Sequence, residues 1–88
     1  MAWTVEFSPR VVKSFAKLDR SVSERILAHL RGVAGTGDPR LKGKALTGQL
    51  GGLWRYRVGS WRVICDIQDH RMVIVAVEVA HRSSAYRS

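Results

Sequence analysis

The stretch LWRYRVGSWRV, residues 53–63, alternates polar and apolar residues on both sides of a glycine–serine pair. Glycine at the first position of a two-residue turn favours a tight β-hairpin, so Gly59 sets the register of the two flanking strands. In this register Arg57 lies directly opposite Arg62. Because side chains alternate between the two faces of a strand, Arg55 shares a face with both of them. The chain must therefore fold so that three like charges share one face of a hairpin.

The two faces of this hairpin differ in character. The face opposite the arginines is apolar and consists of Trp54, Tyr56, Val58, Trp61, Val63 and Cys65. We expect it to pack under helices. Like charges opposite each other destabilise a sheet, and a planar guanidinium matches a phosphate group, so the arginine face favours a phosphodiester as ligand. The alternative is a solvated face that blocks edge pairing, with Asp66 as a local partner.

The charge of the chain is strongly positive. Its 88 residues form one expected domain, residues 1–88, and carry 15 Lys and Arg against 7 Asp and Glu, a net charge of +8. The six basic residues between Arg40 and Cys65 are accompanied by no acidic one. Such a patch attracts nucleic acid, an anionic membrane or an acidic protein. The alternative is a solvated surface that keeps the domain soluble.

The sequence predicts a cytoplasmic protein without a membrane partner. No apolar run approaches the roughly 20 residues that span a bilayer, and the segment MAWTVEFSPR lacks the pattern of a signal peptide. Cys65 is the single cysteine, so no internal disulfide can form. Its place on the apolar face predicts a buried, inert thiol.

The first part of the chain predicts a strand and two helices. Residues 3–7 alternate as a short strand, and Ser8 is a good helix cap followed by proline. The expected apolar stripes are Val11, Val12, Phe15 and Leu18 in the first helix, and Val22, Ile26, Leu27, Leu30, Val33 and Ala34 in the second. Ser21 and Glu24 have capping-box spacing, and Gly35 is expected to end the second helix. The short connection predicts an antiparallel helical hairpin.

The second part predicts a loop and a sheet, which makes the fold class α+β. Residues 35–52 are rich in glycine and read as a loop. Three strand patterns follow, at Leu53–Val58, Trp61–Gln68 and Met72–Ala80, and predict a three-strand antiparallel meander. The last pattern is apolar on both faces except for Glu78, so we expect the first strand to pair with its free edge.

Two further clusters are candidates for RNA binding. The loop contributes Arg40, Lys42 and Lys44, and the end of the chain contributes His81, Arg82, Tyr86 and Arg87. Ser83 or Ser84 can cap a short C-terminal helix, which places Arg82 and Tyr86 one turn apart. Tyrosine stacks on an unpaired base, arginine clamps a phosphate, and histidine exchanges protons near neutral pH. The alternative is a frayed basic tail.

The order of strand, helical hairpin, basic loop and meander resembles the RelE/ParE superfamily of bacterial and archaeal toxins. The resemblance covers nearly the whole chain and is most specific in the WRYRVGSWRV hairpin and the H-R-x-x-x-Y ending. The filled basic and aromatic positions favour the RelE branch. Members of that branch enter the ribosomal A site and cut messenger RNA, with its 2′-hydroxyl as nucleophile. The resemblance also implies a cognate acidic antitoxin, DNA-binding and encoded beside the toxin, which neutralises it.

Two other readings remain open at this point. One is a ParE-like inhibitor that binds DNA gyrase and has no nuclease activity. The other is an inactive or purely nucleic-acid-binding relative. The filled positions Arg62, Arg82 and Tyr86 favour the ribonuclease over the gyrase inhibitor.

The resemblance implies catalytic positions for Arg55 and Arg57 on the second strand of its sheet, and for Arg62, Arg82 and Tyr86. The best described ribonuclease of the family has lysines at the two second-strand positions, and one is its general base. A guanidinium keeps its proton, so either His81 or Glu78 takes it, or catalysis is mostly electrostatic. Cationic side chains supply the charge for this chemistry, and the sequence has no tight cluster with metal-ligand spacing. We therefore expect a metal-independent endoribonuclease without a cofactor.

Overall fold

The computed structural model describes residues 3–82, which form an α+β fold. In chain order the elements are β1 (Thr4–Phe7), α1 (Pro9–Lys17), α2 (Arg20–Gly35), β2 (Lys44–Ala45), β3 (Trp54–Val58), β4 (Trp61–Gln68) and β5 (Val73–His81), with a 3-10 turn at Gly48–Leu50. The predicted C-terminal helix, with Tyr86 and Arg87, lies outside the described residues. No helix within residues 3–82 is long and apolar enough to cross a bilayer.

Residues 3–82 build a five-stranded sheet in the order β1-β5-β4-β3-β2. Strand β1 runs parallel to β5, which confirms the predicted pairing of the first strand with the last. The other neighbours are antiparallel. The predicted three-strand meander is incomplete, because Lys44 and Ala45 add a further strand to the edge of β3. An alternating pattern cannot be read in two residues, so the sequence predicted only a loop there.

The β3–β4 hairpin has the predicted register, with Arg57 opposite Arg62 and Val58 opposite Trp61. Gly59 adopts a φ of 60° in the turn, a conformation that glycine reaches without steric cost. The apolar face is buried as predicted, and its core members are Tyr56, Val58, Val63 and Cys65. Burial raises the pKa of the Cys65 thiol to about 12, so this thiol is unreactive.

Helix α1 begins as predicted. The Ser8 hydroxyl caps it by accepting a hydrogen bond from the Val11 N–H at 3.3 Å, and Pro9 occupies the first turn. Val11 is fully buried, but the prediction for Val12 is wrong, since this residue is 56% exposed. Successive residues of a helix point about 100° apart, so a helix that lies on β1 and β5 buries only one of the two valines.

Helix α2 begins at Arg20, with Asp19 as its N-cap residue. The predicted capping box of Ser21 and Glu24 is therefore wrong. The Glu24 carboxylate instead accepts a hydrogen bond from Arg20 Nε at 3.0 Å. The helix ends at Gly35 as predicted, packs on β1 and β3, and buries Ile26, Leu30, Val33 and Ala34.

Candidate functional site

Three arginines occupy one face of the β3–β4 hairpin. Arg57 is exposed, whereas Arg55 and Arg62 are half-buried. The ion pairs within residues 3–82 involve Arg10, Arg20, Arg40 and Arg71. Asp66, the local partner considered from the sequence, accepts a hydrogen bond from Gln68 Nε2 at 3.0 Å. No carboxylate in the described part of the chain forms an ion pair with the hairpin arginines.

Two more arginines lie at the turn of the hairpin. The backbone N–H of Arg82 donates to the carbonyl of Ser60 at 2.8 Å, which brings the end of β5 next to the turn. Arg62 is the second residue of β4, the strand that begins directly after this turn. Arg25 of α2 also lies against the turn, because a Cβ added at Gly59 would be 2.6 Å from its Nη2 atom. Sequence reasoning did not find Arg25, whose position depends on how α2 packs over the sheet.

A basic pocket of about 320 Å³ opens at the edge of β3, where β2 begins. Its lining residues are His29, Lys42, Gly43, Lys44, Arg55 and Arg57. The structure thus brings together two lysines predicted to bind RNA and two of the hairpin arginines. None of the lining residues is acidic, and residues 3–82 contain no cluster of His, Cys, Asp or Glu suited to a metal ion.

Gly43 allows the wall of the basic pocket to lie close to β3. Its φ is 84°, and a Cβ here would lie 2.6 Å from Trp54 Nε1 and 2.9 Å from Tyr56 Cδ1, with the Arg55 carbonyl oxygen closer still. Only glycine fits this position. Trp54 Nε1 donates to the Lys42 carbonyl at 2.7 Å and fixes the same segment.

Arg55 contributes an unsatisfied donor to the basic pocket. Its Nε atom is buried and has no hydrogen-bond partner in the structure. A buried donor without a partner costs about 1–3 kcal/mol. An anion in the pocket would recover that free energy once the Arg55 side chain turns its Nε atom toward it.

His29 is a site residue that sequence reasoning missed. It is half-buried on α2, and its ring centroid lies 5.9 Å from that of Tyr56. Burial, with a smaller contribution from Lys42, lowers the pKa of His29 below its usual value. In the sequence His29 only precedes Leu30 of the apolar stripe, and its approach to the hairpin follows from the packing of α2 on β3.

Arg40 lies apart from the basic pocket, although the sequence placed it with the RNA-binding lysines. Its guanidinium donates to both carboxylate oxygens of Asp69, at 2.8 and 3.0 Å. These hydrogen bonds lower the pKa of Asp69 and raise that of Arg40. The guanidinium carbon also lies 5.9 Å from the centroid of the Trp54 ring. Arg40 thus borders a second cavity, with Trp54 and Ile67.

The two proton acceptors considered from the sequence lie away from the basic pocket. His81 is opposite Trp61 in the β4–β5 ladder, and the two rings make a T-shaped contact with centroids 5.0 Å apart. Because Trp61 belongs to the apolar face, His81 lies on that face and not with the arginines. Glu78 forms an ion pair with Arg10 at 2.7 Å.

The fold is that of a toxin of a type II toxin-antitoxin system. Residues 5–86 match the family model of the ParE toxin of type II toxin-antitoxin systems, parDE. The chain therefore belongs to this family, within the RelE/ParE superfamily that the sequence predicted. A comparison with curated proteins found no match.

Solved toxin structures share this fold. One chain of the RelBE2 toxin-antitoxin complex from Mycobacterium tuberculosis is 29% identical to this chain. The TM-score is 0.72, and the match covers 93% of this chain and 100% of the other. The archaeal RelE-RelB complex from Pyrococcus horikoshii OT3 is 27% identical, with a TM-score of 0.73 over 97% and 100%. The isolated E. coli RelE toxin, 24% identical with a TM-score of 0.74 over 99% and 88%, supports the same fold.

Proposed function

We propose that this toxin is an endoribonuclease that cleaves messenger RNA in the ribosomal A site and so inhibits translation. The observation that carries the proposal is the group of Arg55, Arg57 and Arg62, which lacks an ionic partner among the described residues and borders a basic pocket. A phosphodiester supplies the anion that this group lacks. The likeness to RelE toxins supports the same reading.

In the proposed reaction the 2′-hydroxyl attacks the adjacent phosphorus and the 5′-oxygen leaves. Negative charge develops on the phosphate oxygens, and Arg57, Arg62 and Arg82 stabilise it from around the hairpin turn. Lys42, Lys44 and Arg87 bind the RNA backbone, and Tyr86 stacks on an unpaired base. The positive charges that stabilise the phosphate come from side chains of the toxin. The proposed reaction uses no metal ion or cofactor.

The proposed partner of the toxin is an acidic antitoxin. Two of the similar structures are complexes of a toxin with its antitoxin. This chain carries a net charge of +8, and within residues 3–82 the large apolar side chains of Val12 and Leu41 are 56% and 67% exposed. An acidic, amphipathic segment that wraps around the toxin matches both features. The toxin acts in the cytoplasm, where it meets the ribosome and its message.

A ParE-like inhibitor of DNA gyrase is the second candidate function. The observation that favours it is the matching family model, which describes the ParE toxin. In this case the basic hairpin binds gyrase or its DNA, and no RNA bond is broken.

Two assays on toxin released from its antitoxin complex distinguish these functions. The first adds the toxin to ribosomes that carry a labelled message, and the second adds it to gyrase with relaxed plasmid. We expect cleavage of the message in the A site and unchanged supercoiling, and added antitoxin should prevent the cleavage. If supercoiling is inhibited and the message stays intact, the proposed ribonuclease function is wrong and the gyrase-inhibitor function is supported.

A further inference from the structure

The proposed ribonuclease needs a group that takes the proton of the attacking 2′-hydroxyl. Arg55 and Arg57 are unsuitable, because a guanidinium keeps its proton near neutral pH. Glu78 is paired with Arg10, and His81 packs against Trp61 on the apolar face. The general base must therefore be sought among the other side chains near the hairpin arginines.

The basic pocket offers one such group. Besides the two arginines it is lined by Lys42, Lys44 and His29. The lysines are exposed, and solvated ammonium groups act as cations rather than as proton acceptors. His29 is half-buried and is the imidazole in this pocket. Histidine is also the side chain most often used as a general base.

We propose that the basic pocket holds the phosphate next to the ribose whose 2′-hydroxyl attacks, and that His29 is the general base. This inference rests on the proposed ribonuclease function. In the cleavage step His29 accepts the 2′-hydroxyl proton, the 2′-oxygen bonds to phosphorus, and the bond from phosphorus to the 5′-oxygen breaks. The 5′-oxygen takes a proton from water, and a 2′,3′-cyclic phosphate remains. His29 then releases its proton to solvent.

The unsatisfied donor of Arg55 supports the phosphate site. Its buried Nε has no hydrogen-bond partner among residues 3–82, and Arg55 itself lines the basic pocket. Once the Arg55 side chain turns this atom toward the pocket, a phosphate oxygen can accept the hydrogen bond while Lys42, Lys44 and Arg57 balance the negative charge. The close packing of Gly43 on β3 keeps these groups in place.

The charges that face His29 support its role as a base. These groups are Lys42 and Lys44 from the segment around β2, Arg55, Tyr56 and Arg57 from β3, and Arg25 from the preceding turn of its own helix. None of them is a carboxylate that would stabilise an imidazolium. Burial and the Lys42 charge lower the pKa of His29, so its imidazole is neutral at pH 7 and has a lone pair for the proton.

The test compares His29→Ala and His29→Gln with the wild-type toxin in single-turnover cleavage of ribosome-bound message. We expect each variant to lose about 100- to 10,000-fold in rate, the usual contribution of a general base. Added imidazole should restore part of the rate of His29→Ala. The matched control is His70→Ala, in the exposed turn after β4, which should cleave at the wild-type rate.

The pH dependence gives a readout that a structural role would not produce. For the wild type, kcat/KM should fall as the pH decreases through the pKa of free His29, below its usual value of 6.5. This acidic limb should disappear in His29→Gln and remain in His70→Ala. Circular dichroism and antitoxin binding verify that each variant is folded.

A binding measurement tests the pocket without cleavage. In NMR spectra of the wild type, added 3′-UMP should shift the ring signals of His29, and its nearby phosphate should raise the midpoint of the His29 titration. No shift would overturn the phosphate site. If the wild type cleaves the message and both His29 variants cleave it at the same rate, the role of His29 as general base is wrong, whereas the proposed ribonuclease function stands. Failure of the wild type to cleave any message would overturn the proposed function and the inference with it.

Discussion

Arg62 and Arg82 reach the hairpin turn by different routes. Arg62 lies on β4 opposite Arg57, and Arg82 follows β5 with its backbone bonded to Ser60. Opposed like charges weaken a strand pair, so the fold gains nothing from placing Arg62 beside Arg57. Arg82 is exposed and buries no apolar surface. Both side chains can therefore bind a ligand without loss of a contact that stabilises the fold.

We expect Arg62→Ala and Arg82→Ala each to lower the rate of message cleavage about 100- to 1000-fold, as removal of one positioned donor does. Tyr86→Ala should lose less. Stability to urea and antitoxin binding should stay near wild type, because no core contact is lost. Arg31→Ala is the matched control, since Arg31 is an exposed arginine of α2 outside the site. Wild-type cleavage by both site variants would assign the arginines to solubility or to a protein partner.

Single residues differ in how well their place could be predicted. The turn chemistry of Gly59 fixes which arginines face each other, so Arg57 and Arg62 were predictable from a short local pattern. His29 was not, because its approach to β3 is set by long-range packing of a helix on a sheet. The ion pair of Arg40 with Asp69 was not predictable for a similar reason, since Asp69 lies in a turn distant in sequence.

Elements with a strong local signal were predictable, and short or ambiguous ones were not. The cap residue and the proline at the beginning of α1 favour one helix start. The hairpin turn likewise favours one pairing register of β3 and β4. The capping-box spacing of Ser21 and Glu24 predicted the wrong start for α2, whose N-cap position is Asp19 although the Asp19 side chain makes no capping hydrogen bond. Strand β2 has only two residues, so its existence depends on Gly43 and on the bond from Trp54 to Lys42 rather than on a pattern.

Gly43→Ala tests how β2 is held against β3. Gly43 and Gly52 both have positive φ, 84° and 92°, so alanine at either costs about 1–2 kcal/mol of backbone strain. An added Cβ at Gly52 meets nothing within 4 Å, whereas at Gly43 it collides with β3. We therefore expect Gly43→Ala to lose more stability in urea denaturation than Gly52→Ala and to bind 3′-UMP more weakly. Equal losses would contradict the close approach.

At the scale of the whole molecule, the proposed function and the net charge of +8 predict that RNA binding depends on released counterions. Affinity for single-stranded RNA should fall with added salt at a log-log slope of about −0.7 per phosphate contacted. Lys42→Ala with Lys44→Ala should flatten the slope by about 1.4, if each lysine contacts one phosphate. Fluorescence anisotropy at several salt concentrations measures it.

The control for this slope removes the same charge from another surface. Lys13→Ala with Lys17→Ala takes two exposed lysines from α1, which lies away from the basic pocket. We expect weaker binding from the lower net charge but an unchanged slope, because no phosphate contact is lost. Equal flattening in both double variants would mean that the RNA does not follow the basic pocket.

The parallel pairing of β1 with β5 determines when, during its synthesis, the toxin can complete its fold. Strand β5 lies between β1 and β4 in the sheet, so the strand made early in synthesis pairs with the strand made last. A growing chain emerges from its N-terminal end, and distant pairings form only when both partners are present. Until β5 emerges, β1 has no neighbour and Arg82 is not yet beside the hairpin turn. If the toxin is the ribonuclease proposed above, a ribosome completes nearly all of this chain before the nascent product can attack the message that encodes it.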